Sequence, residues 1–335
     1  MRSIDVARLA GVSRSAVSRS YTPGAYVSDE TRRKVLEAAE ALGYHPNALA
    51  RSLITRRTGI IGIVSTDLDN PFYAALLQAL SMRFQAEGLA PLLLFGDETS
   101  TDRQITQLLS YQVDALVMTN ATLSSAMAAR FARIDKPVVA INRYMAQEEI
   151  TSITSDNHEA AGQVADHFVS LGCRRIAFLA GKPDASSSRD REAGFMRRLA
   201  QLGHPLIAHD VGNYHHLGGV EAARRLLRRE VRPDAIFCAN DLMAFGVMDV
   251  ARGEFGLRIP QDLKVCGFDN SGMASWPAYD LTTVDQGMET MVETTVQHIR
   301  DCLAGQLPST RHLEVAGRVI IRGSTDERVC AGLCD

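Results

Sequence analysis

Short apolar runs rich in β-branched residues alternate with amphipathic stretches through most of this 335-residue chain. The alternation falls into two blocks, about 59–156 and 157–285. The apolar runs are GIIGIVS, PLLLF, ALVMT, PVVAIN, RIAFLAG, AIFCAN and LKVCGFD. Strands that alternate with helices predict parallel sheets, because each crossover helix returns the chain to the same edge. Two such blocks are too much for one sheet, so the pattern predicts two α/β lobes with a cleft between them.

Polar residues follow several of the predicted strands directly. In an open parallel sheet, ligands bind outside the carboxyl ends of the strands. The polar clusters are Asp67 to Asn70, Asn142-Arg143, Asp156-Asn157, Asn240-Asp241 and Asp269-Asn270. We therefore expect the cleft to bind a small polar molecule. Asp and Asn after a strand also cap helices, and for Asp156 and Asp241 capping is as good an interpretation as ligand contact.

Basic and acidic residues are unevenly distributed. Residues 1–57 hold ten Lys or Arg against five acids, whereas residues 58–335 hold 26 basic and 34 acidic residues. Hydrophobic residues make up 46% of the chain and charged residues 22%, which is typical of a globular protein and argues against disorder. The basic residues 1–57, called the head, suit contacts with DNA phosphates. DNA would repel the acidic residues 58–335, called the body.

Three short helices are predicted in residues 1–45. Ser3 and Ser13 can cap the first two, which a glycine turn separates, and Ser28 can cap the third. The apolar positions expected in their shared core are Val6, Leu9, Ala10, Val17, Val35, Leu36, Ala39 and Leu42. The outward face of the second helix carries Arg14, Ser15, Ser18 and Arg19. Two short helices joined by a tight turn are typical of a helix-turn-helix, whose second helix contacts base edges in the major groove.

Four segments of the head closely resemble the LacI/GalR family of repressors. They are IDVARLAGVS at Ile4 to Ser13, AVSR at Ala16 to Arg19, YVSDETRRKV at Tyr26 to Val35 and LGYHPNALARSL at Leu42 to Leu53. The resemblance implies a helix-turn-helix DNA-binding domain over residues 1–45 and a hinge helix with its linker over residues 46–57. In that family the hinge helices of a dimer order on operator DNA and insert into the minor groove.

The resemblance also implies which hinge residues contact DNA. They are Asn47, Ala50 and Leu53. Leu53 would be the leucine that wedges between base pairs, an established way to kink DNA from the minor groove. Leu49, four residues earlier, is better interpreted as a core residue. The departure at Ser20-Tyr21-Thr22 from the family's usual run, together with the variable positions Arg14 and Ser15, leaves the operator sequence open.

The body resembles the same family, which shares this architecture with periplasmic sugar-binding proteins. The matching segments are DLDNPFY, INR, SDN, CANDLMAFG and GFDN. The resemblance implies a periplasmic-binding-protein-like α/β core over residues 58–335. Its first lobe would span about 58–156 plus 287–312, and its second lobe about 157–286 plus 313–335. The implied effector-binding residues are Asp69, Phe72, Tyr73, Arg143, Asn157, Arg191, Tyr214, Asn240 and Asp269.

The lone tryptophan, Trp276, has two interpretations. It would suit a sugar-stacking platform, but the resemblance places it at the contact between the second lobes of a dimer, with Phe245 and Met248. No leucine heptads follow Thr325, so we expect a homodimer without a tetramerising coiled coil. Together these features predict a repressor that binds double-stranded, pseudo-palindromic operator DNA and responds to a small polar metabolite such as a sugar or sugar acid.

Two other classes of protein fit parts of the sequence. The body alone would suit a secreted solute-binding protein, but the basic head and the lack of an apolar signal segment favour a cytoplasmic protein with no membrane partner. An enzyme is disfavoured because the chain has no phosphate loop, GxGxxG, GxSxG or HExxH, and we expect no catalytic residues. The six cysteines are scattered and are interpreted as reduced thiols, so neither a cofactor nor a metal is expected.

Overall fold

The computed structural model of the chain forms two compact units, Met1–Thr58 and Gly59–Asp335. The residues that it describes are 1–21, 24–45, 57–96, 100–119, 124, 126–127, 130, 136–147, 149–306 and 310–326. The expected hinge contacts Asn47, Ala50 and Leu53 lie outside these ranges. None of the helices in the described ranges is both long enough and apolar enough to cross a membrane.

The first unit contains the helices α1 (Ser3–Ala10), α2 (Arg14–Ser20) and α3 (Asp29–Ala41). Ser13 Oγ accepts from the Ala16 N–H at 3.1 Å and Ser28 Oγ from the Thr31 N–H at 3.3 Å, so both predicted caps are confirmed. Ser3 is not a cap. It is the first residue of α1, and the Asp5 carboxylate accepts from the Arg2 N–H at 2.9 Å instead.

The three helices close a small core around Val6, Val17 and Val35. Two predicted members of this core, Leu9 and Leu36, are 57% and 46% exposed. The reason is geometric, because three short helices share only a narrow central stripe, and alanines complete it in place of the larger side chains. The buried alanines are Ala7, Ala38 and Ala39.

The second unit is an α/β structure of two lobes. Its strands are β1 (Ile60–Ser65), β2 (Ala90–Phe95), β3 (Ala115–Thr119), β4 (Val138–Ile141), β5 (Ile150–Ser155), β6 (Ile176–Ala180), β7 (Leu206–Val211), β8 (Ala235–Cys238), β9 (Lys264–Cys266), β10 (Thr283–Asp285), β11 (His312–Val315) and β12 (Arg318–Ile320). Its helices are α4 (Pro71–Ala86), α5 (Thr101–Ser110), α6 (Asn157–Ser170), α7 (Ser186–Gln201), α8 (His216–Leu227), α9 (Asp241–Gly253) and α10 (Met288–Leu303), with a 3-10 turn at Gly272–Ser275.

The first lobe is built on a six-stranded parallel sheet in the order β11-β5-β4-β3-β1-β2. Alternate residues of β1 point to opposite faces, and α4 and α10 cover one face while α5 covers the other. The second lobe is built on a four-stranded parallel sheet in the order β7-β6-β8-β9, with α6 to α9 packed around it. The two parallel sheets predicted from the alternating pattern are thus present.

The chain crosses between the lobes more than once. After β10 it enters α10 of the first lobe through Gly287, which has a φ of 71°. Strand β11 then pairs with β5 in the first-lobe sheet before β12 pairs with β10. The first lobe therefore extends to Val315, a few residues beyond the predicted division at 312. Strands β5, β7 and β11 carry polar residues among their apolar ones, and the sequence pattern did not single them out as strands.

Candidate functional site: an effector cleft and a DNA-reading helix

A polar pocket lies between the two lobes of the second unit. It is lined by Asp67, Asn70, Tyr73, Asn142, Ser187, Arg191, Tyr214, Asn240 and Asp269. The space between these atoms is about 260 Å³, including the part that is open to solvent. Loops at the carboxyl ends of strands of both sheets supply most of these residues, as expected for parallel sheets. Five of the nine predicted effector residues line the pocket: Tyr73, Arg191, Tyr214, Asn240 and Asp269.

Arg191 and Asp269 form a buried pair in the second lobe. Arg191 is 2% exposed, and its Nη1 lies 3.7 Å from Oδ1 of Asp269. Its guanidinium carbon lies 3.7 Å from the centre of the Phe268 ring, a cation–π contact. Nε donates to Oδ1 of Asn157 at 2.8 Å and Nη1 to the Ala239 carbonyl at 2.6 Å. The guanidinium is thereby held in one orientation.

Gln286 joins this pair and was not predicted from the sequence. Its Nε2 donates to Oδ1 of Asp269 at 2.6 Å, and its Oε1 accepts from Nη2 of Arg191 at 3.2 Å. Gln286 is fully buried and lies directly after β10, where the chain crosses to the first lobe. It was missed because the segment LTTVDQ, residues 281–286, reads as an ordinary strand, and only the tertiary structure brings its last residue to Arg191 and Asp269.

Burial changes the acidity of two carboxyl groups near the pocket. It raises the pKa of Asp269 to about 8, although the Arg191 guanidinium opposes this effect. It raises the pKa of Asp241 to about 6 despite hydrogen bonds from the Thr283 hydroxyl and the Ser271 N–H. A carboxylate in a low-dielectric site costs free energy unless it is paired, which explains both directions.

The two acids whose role was left open behave differently. Asp156 caps α6, since its Oδ1 accepts from the Glu159 N–H at 3.0 Å. Asp241 neither caps a helix nor lines the pocket, because its carboxylate ties α9 to the loop after β9 and to β10. The cap of α9 is Asn240, whose Oδ1 accepts from the Met243 N–H at 3.0 Å.

The first-lobe wall includes Asp67, Asn70, Tyr73 and Asn142. Asn70 caps α4 through the Phe72 N–H at 3.0 Å. Asn142 Nδ2 donates to the Tyr73 hydroxyl at 3.2 Å, while Asn142 Oδ1 is buried and has no hydrogen-bond partner among the described residues. Burial raises the pKa of Tyr73 above its ordinary value, so the phenol stays protonated. In this wall, Asn142 Oδ1 is therefore a hydrogen-bond acceptor that receives no donor from the described residues.

Tyr214 supplies an aromatic surface in the second lobe. It has a φ of 68°, and its ring lies against Gly181, where an added Cβ would be 2.1 Å from Cζ of the ring. Its hydroxyl lies 3.2 Å from Ser187 Oγ. Only glycine at position 181 leaves room for the ring in this place.

Four predicted effector residues do not line the pocket. Asn157 acts on Arg191, as described above, and Phe72 is buried edge-on against Tyr73, with ring centres 5.4 Å apart. Asp69 is exposed, and its neighbour Asn70 takes the position facing the cleft. Arg143 points across the lobes, where its Nη2 donates to the Asp184 carbonyl at 3.3 Å. For Asp69 and Asn70 the turn after β1 decides which side chain faces inward.

The predicted dimer residues differ in exposure. Phe245 and Met248 have no exposed surface, because they belong to the second-lobe core, where Phe245 packs on Tyr279 with ring centres 4.3 Å apart. A side chain buried within one chain has no area to offer a partner, so assigning these two residues to the interface surface was wrong. Trp276 is 53% exposed and lies outside the effector pocket.

Helix α2 of the first unit presents a polar face to solvent. Arg14, Ser15, Ser18 and Arg19 are all exposed. Ala16 and Val17, on the opposite side, are buried against the helical core. Arg32 of α3 also donates to the carbonyl of Ser20 at the end of α2, at 2.6 Å. The exposed face is therefore held on a fixed support, as recognition of DNA by a helix requires.

Comparison with known proteins decides the family. The model of bacterial regulatory proteins, lacI family, matches residues 4–47, and that of the periplasmic binding protein-like domain matches residues 165–325. The HTH-type transcriptional repressor PurR of Photobacterium profundum is 30% identical over 329 residues, which are 96% of this chain and 98% of that protein. The chain belongs to the LacI family.

Other relatives extend along the same length of this LacI-family chain. Catabolite control protein A of Priestia megaterium is 29% identical over 332 residues, covering 96% of this chain and 98% of that protein. The lac repressor dimer bound to operator and the anti-inducer ONPF superposes with a TM-score of 0.86 at 27% identity, covering 97% of this chain and 99% of that one. A complex of the transcriptional regulator CelR with cellobiose gives a TM-score of 0.73 at 27% identity, covering 97% and 99%.

Family membership establishes the general function. This LacI-family protein is a sequence-specific, DNA-binding transcriptional regulator and not an enzyme. Its helix-turn-helix is the DNA-binding part, and its periplasmic-binding-protein-like core is the effector-binding part.

Proposed function

We propose that this protein is a transcriptional repressor that binds a pseudo-palindromic operator as a homodimer in the cytoplasm, and that a small polar metabolite, such as a sugar or sugar acid, changes its affinity for that operator. The observation that carries the proposal is the polar pocket to which both lobes contribute, with the buried Arg191–Asp269 pair on one side and Asn142 on the other. Relatives that repress transcription support it, and so does the solved complex of CelR with cellobiose.

The DNA contacts in this proposal have two parts. Arg14, Ser15, Ser18 and Arg19 of α2 read base edges in the major groove, where Arg is the usual bidentate partner of guanine. Asn47, Ala50 and Leu53 contact the minor groove, and Leu53 wedges between two base pairs. The minor-groove contact requires two chains, so operator recognition belongs to the dimer.

The effector acts by differential affinity for two lobe arrangements. A ligand held by residues of both lobes favours the arrangement in which those residues are close enough to share it. Because the DNA-binding unit precedes the first lobe in the chain, we propose that the lobe arrangement sets the spacing of the two hinge segments. Couplings of this kind are typically about 1 to 3 kcal/mol, or roughly a 5- to 150-fold change in operator affinity.

We propose that Trp276 lies in the dimer contact between second lobes. A half-exposed tryptophan next to a rigid core is the type of residue that anchors protein interfaces. The variant Trp276→Ala should shift the dimer–monomer equilibrium toward monomer in analytical ultracentrifugation. Tyr111→Ala, which removes a similarly exposed aromatic residue of the first lobe, should leave the equilibrium unchanged. An unchanged dimer in the Trp276→Ala variant would place the interface elsewhere.

The repressor function is tested with the purified full-length chain. Selection from a library of random double-stranded DNA should enrich one pseudo-palindromic sequence, and titration of that operator with and without metabolites should reveal an effector. Leu53→Ala should bind the selected operator at least tenfold more weakly, whereas Leu49→Ala, the matched control in the same segment, should change binding less. Enrichment of no sequence would contradict the proposed function, and wild-type affinity of Leu53→Ala would contradict the wedge.

A further inference from the structure

The second unit begins at Gly59, and both main-chain groups of this residue are fixed. Its N–H donates to Oδ2 of Asp114 at 2.7 Å, and its carbonyl accepts from the Ala90 N–H at 2.7 Å. Asp114 and Ala90 lie at the amino ends of β3 and β2, the strands on either side of β1. The first residue of the unit is therefore held to the first-lobe sheet from both sides.

Gly59 also bends the chain at this point. Its φ is 71°, a left-handed conformation that glycine adopts readily and other residues adopt at a cost. Among the described residues, only its chain neighbours have atoms within 4 Å of where a Cβ would stand, so conformation and not crowding favours glycine here. Thr58, the last residue of the first unit, directly precedes the bend. The contact with Asp114 thus fixes the direction in which the chain leaves the first lobe.

Asp114 is itself held firmly in the first lobe. It is buried, and its N–H donates to the Ile60 carbonyl at 2.8 Å. Val113, directly before it, is fully buried in the core of the lobe. A carboxylate accepts stronger hydrogen bonds than a neutral oxygen does. A movement of the first lobe therefore reaches Gly59 through a short and rigid connection.

The second lobe contains the same kind of contact, but there the preceding chain stays within the lobe. Asp234 comes directly before β8, and its carboxylate accepts from the N–H groups of Arg174 and Arg175 at 3.2 and 3.0 Å. Strand β6, which follows Arg175, pairs with β8 as β1 pairs with β3. The chain before Arg174 leads back to α6 of the same lobe. Both aspartates support a sheet, but only Asp114 acts on a chain that comes from another unit.

A fixed direction of this chain matters for an operator with two half-sites. Two linked binding units gain affinity when their linkage holds them at the separation that both sites require, and lose it when the linkage is loose. In helix-turn-helix dimers the spacing of the half-sites mirrors the geometry of the protein. The expected hinge segment ends at residue 57, so only Thr58 separates it from Gly59. Loss of the Asp114 contact should therefore disturb this spacing and leave the helix that reads each half-site intact.

We propose that Asp114 is a positioning residue for operator binding. By holding Gly59, it sets the direction in which the chain leaves the first lobe, and thereby the spacing of the two hinge segments in the dimer. This rests on the proposed function and deepens it, because it names the contact through which the lobe arrangement acts on the hinge.

The test compares Asp114→Ala with Asp234→Ala in the full-length chain. Each protein is titrated with the operator that selection enriches, with the same operator lengthened by one base pair between its half-sites, and with a single half-site. The added base pair moves the half-sites apart by about 3.4 Å and turns them by roughly 35° relative to each other. Wild type should bind the lengthened operator at least tenfold more weakly than the selected one.

In Asp114→Ala this spacing preference should fall below about threefold, while the affinity for the single half-site stays as in wild type. Asp234→Ala loses similar hydrogen bonds and should keep the wild-type preference. Asp114→Asn retains an oxygen that can accept from the Gly59 N–H and should restore most of the preference. A wild-type preference in Asp114→Ala, or an equal loss in both alanine variants, would overturn the proposal.

A pair of glycine variants tests the same idea if Asp114→Ala does not fold. Gly59→Ala leaves Asp114 in place but opposes the left-handed φ, so it should also weaken the spacing preference. Gly88→Ala is the matched control. Gly88 has a φ of 72° in the same lobe and equally open surroundings, but it lies between α4 and β2, so the preference should persist. The same preference in both glycine variants would contradict the proposal.

Hydrogen exchange measures the contact itself without DNA. Exchange of the Gly59 N–H should be at least tenfold faster in Asp114→Ala than in wild type or in Asp234→Ala. A chain that selects an operator while its Gly59 N–H exchanges equally in all three proteins has the proposed function without this role for Asp114. A chain that selects no DNA contradicts the proposed function instead.

Discussion

Asn70 of the first lobe donates from Nδ2 to Oδ2 of Asp269 in the second lobe, at 3.3 Å. The same side chain caps α4 with its oxygen, so one amide serves helix formation and contact between the lobes. Two further contacts cross the cleft nearby, from Arg143 to the Asp184 carbonyl and from the Tyr144 N–H to Ser186 Oγ at 3.0 Å. The lobes are therefore joined by individual polar contacts that an effector can strengthen or replace.

Substitution of Asn70 should separate its two roles. Asn70→Ser keeps a good helix cap but is too short to reach Asp269, whereas Asn70→Ala loses both contacts. We expect both variants to bind the effector more weakly, and Asn70→Ala to have a free energy of unfolding about 1 kcal/mol lower than Asn70→Ser. Urea unfolding and calorimetry measure the two effects. Wild-type effector affinity in Asn70→Ser would mean that the contact between the lobes is dispensable.

Enlarging Gly181 should damage the pocket without unfolding the lobe. In Gly181→Ala the new Cβ would lie 2.1 Å from the Tyr214 ring, so the ring must leave its place. We expect effector affinity to fall at least tenfold, measured by calorimetry. Gly253→Ala is the control, because no atom lies within 4 Å of its added Cβ; this substitution near the end of α9 should stabilise the protein by roughly 0.5 kcal/mol and leave effector binding unchanged.

The raised pKa of Asp269 predicts how stability depends on pH. The folded protein keeps this proton up to about pH 8, whereas the unfolded chain releases it near the ordinary Asp pKa of 3.8. The contribution of Asp269 to the free energy of unfolding is therefore complete below about pH 4 and is lost as the pH rises toward 8. Asp241, with a pKa of about 6, acts in the same direction over a narrower range.

Comparison with Asp269→Asn isolates this contribution. Burial lowers the pKa of His167 and His298. These two groups change the stability in the opposite direction to Asp269, because their contribution to the free energy of unfolding is lost as the pH falls. Urea unfolding of both proteins from pH 5 to pH 9 should show the stability of wild type falling relative to Asp269→Asn as the pH rises. A difference that stays constant across this range would show that Asp269 does not titrate there.

In helix α2, DNA binding and folding should depend on different residues. Arg14→Ala removes an exposed side chain and should weaken operator binding by about 1 to 3 kcal/mol, while protection of α1 to α3 against hydrogen exchange stays the same. Val17→Ala leaves a cavity in the small core and should reduce that protection by roughly 1 to 3 kcal/mol. If Arg14→Ala bound the operator as wild type does, this position would not read DNA.

Features that depend on nearby residues could be predicted well from the sequence. The caps Ser13 and Ser28 and the buried Val17 depend on residues within about one helical turn, and the structure has them as predicted. Five of the nine effector residues that the resemblance implies line the pocket, and two of them, Asn240 and Asp269, also follow predicted strands directly. The resemblance to a family supplied the residues that no local pattern marks, such as Arg191.

The remaining features depend on contacts between residues far apart in the chain. The two-lobed α/β core and the helical head follow from the amino-acid pattern, because hydrophobic periodicity and capping are local and persist in any packing. Long-range packing places Gln286 between Arg191 and Asp269, leaves the buried Asn142 Oδ1 without a donor among the described residues, and puts Phe245 in the core. Crossover geometry and close packing set these contacts, and neither is encoded in the spacing of neighbouring residues.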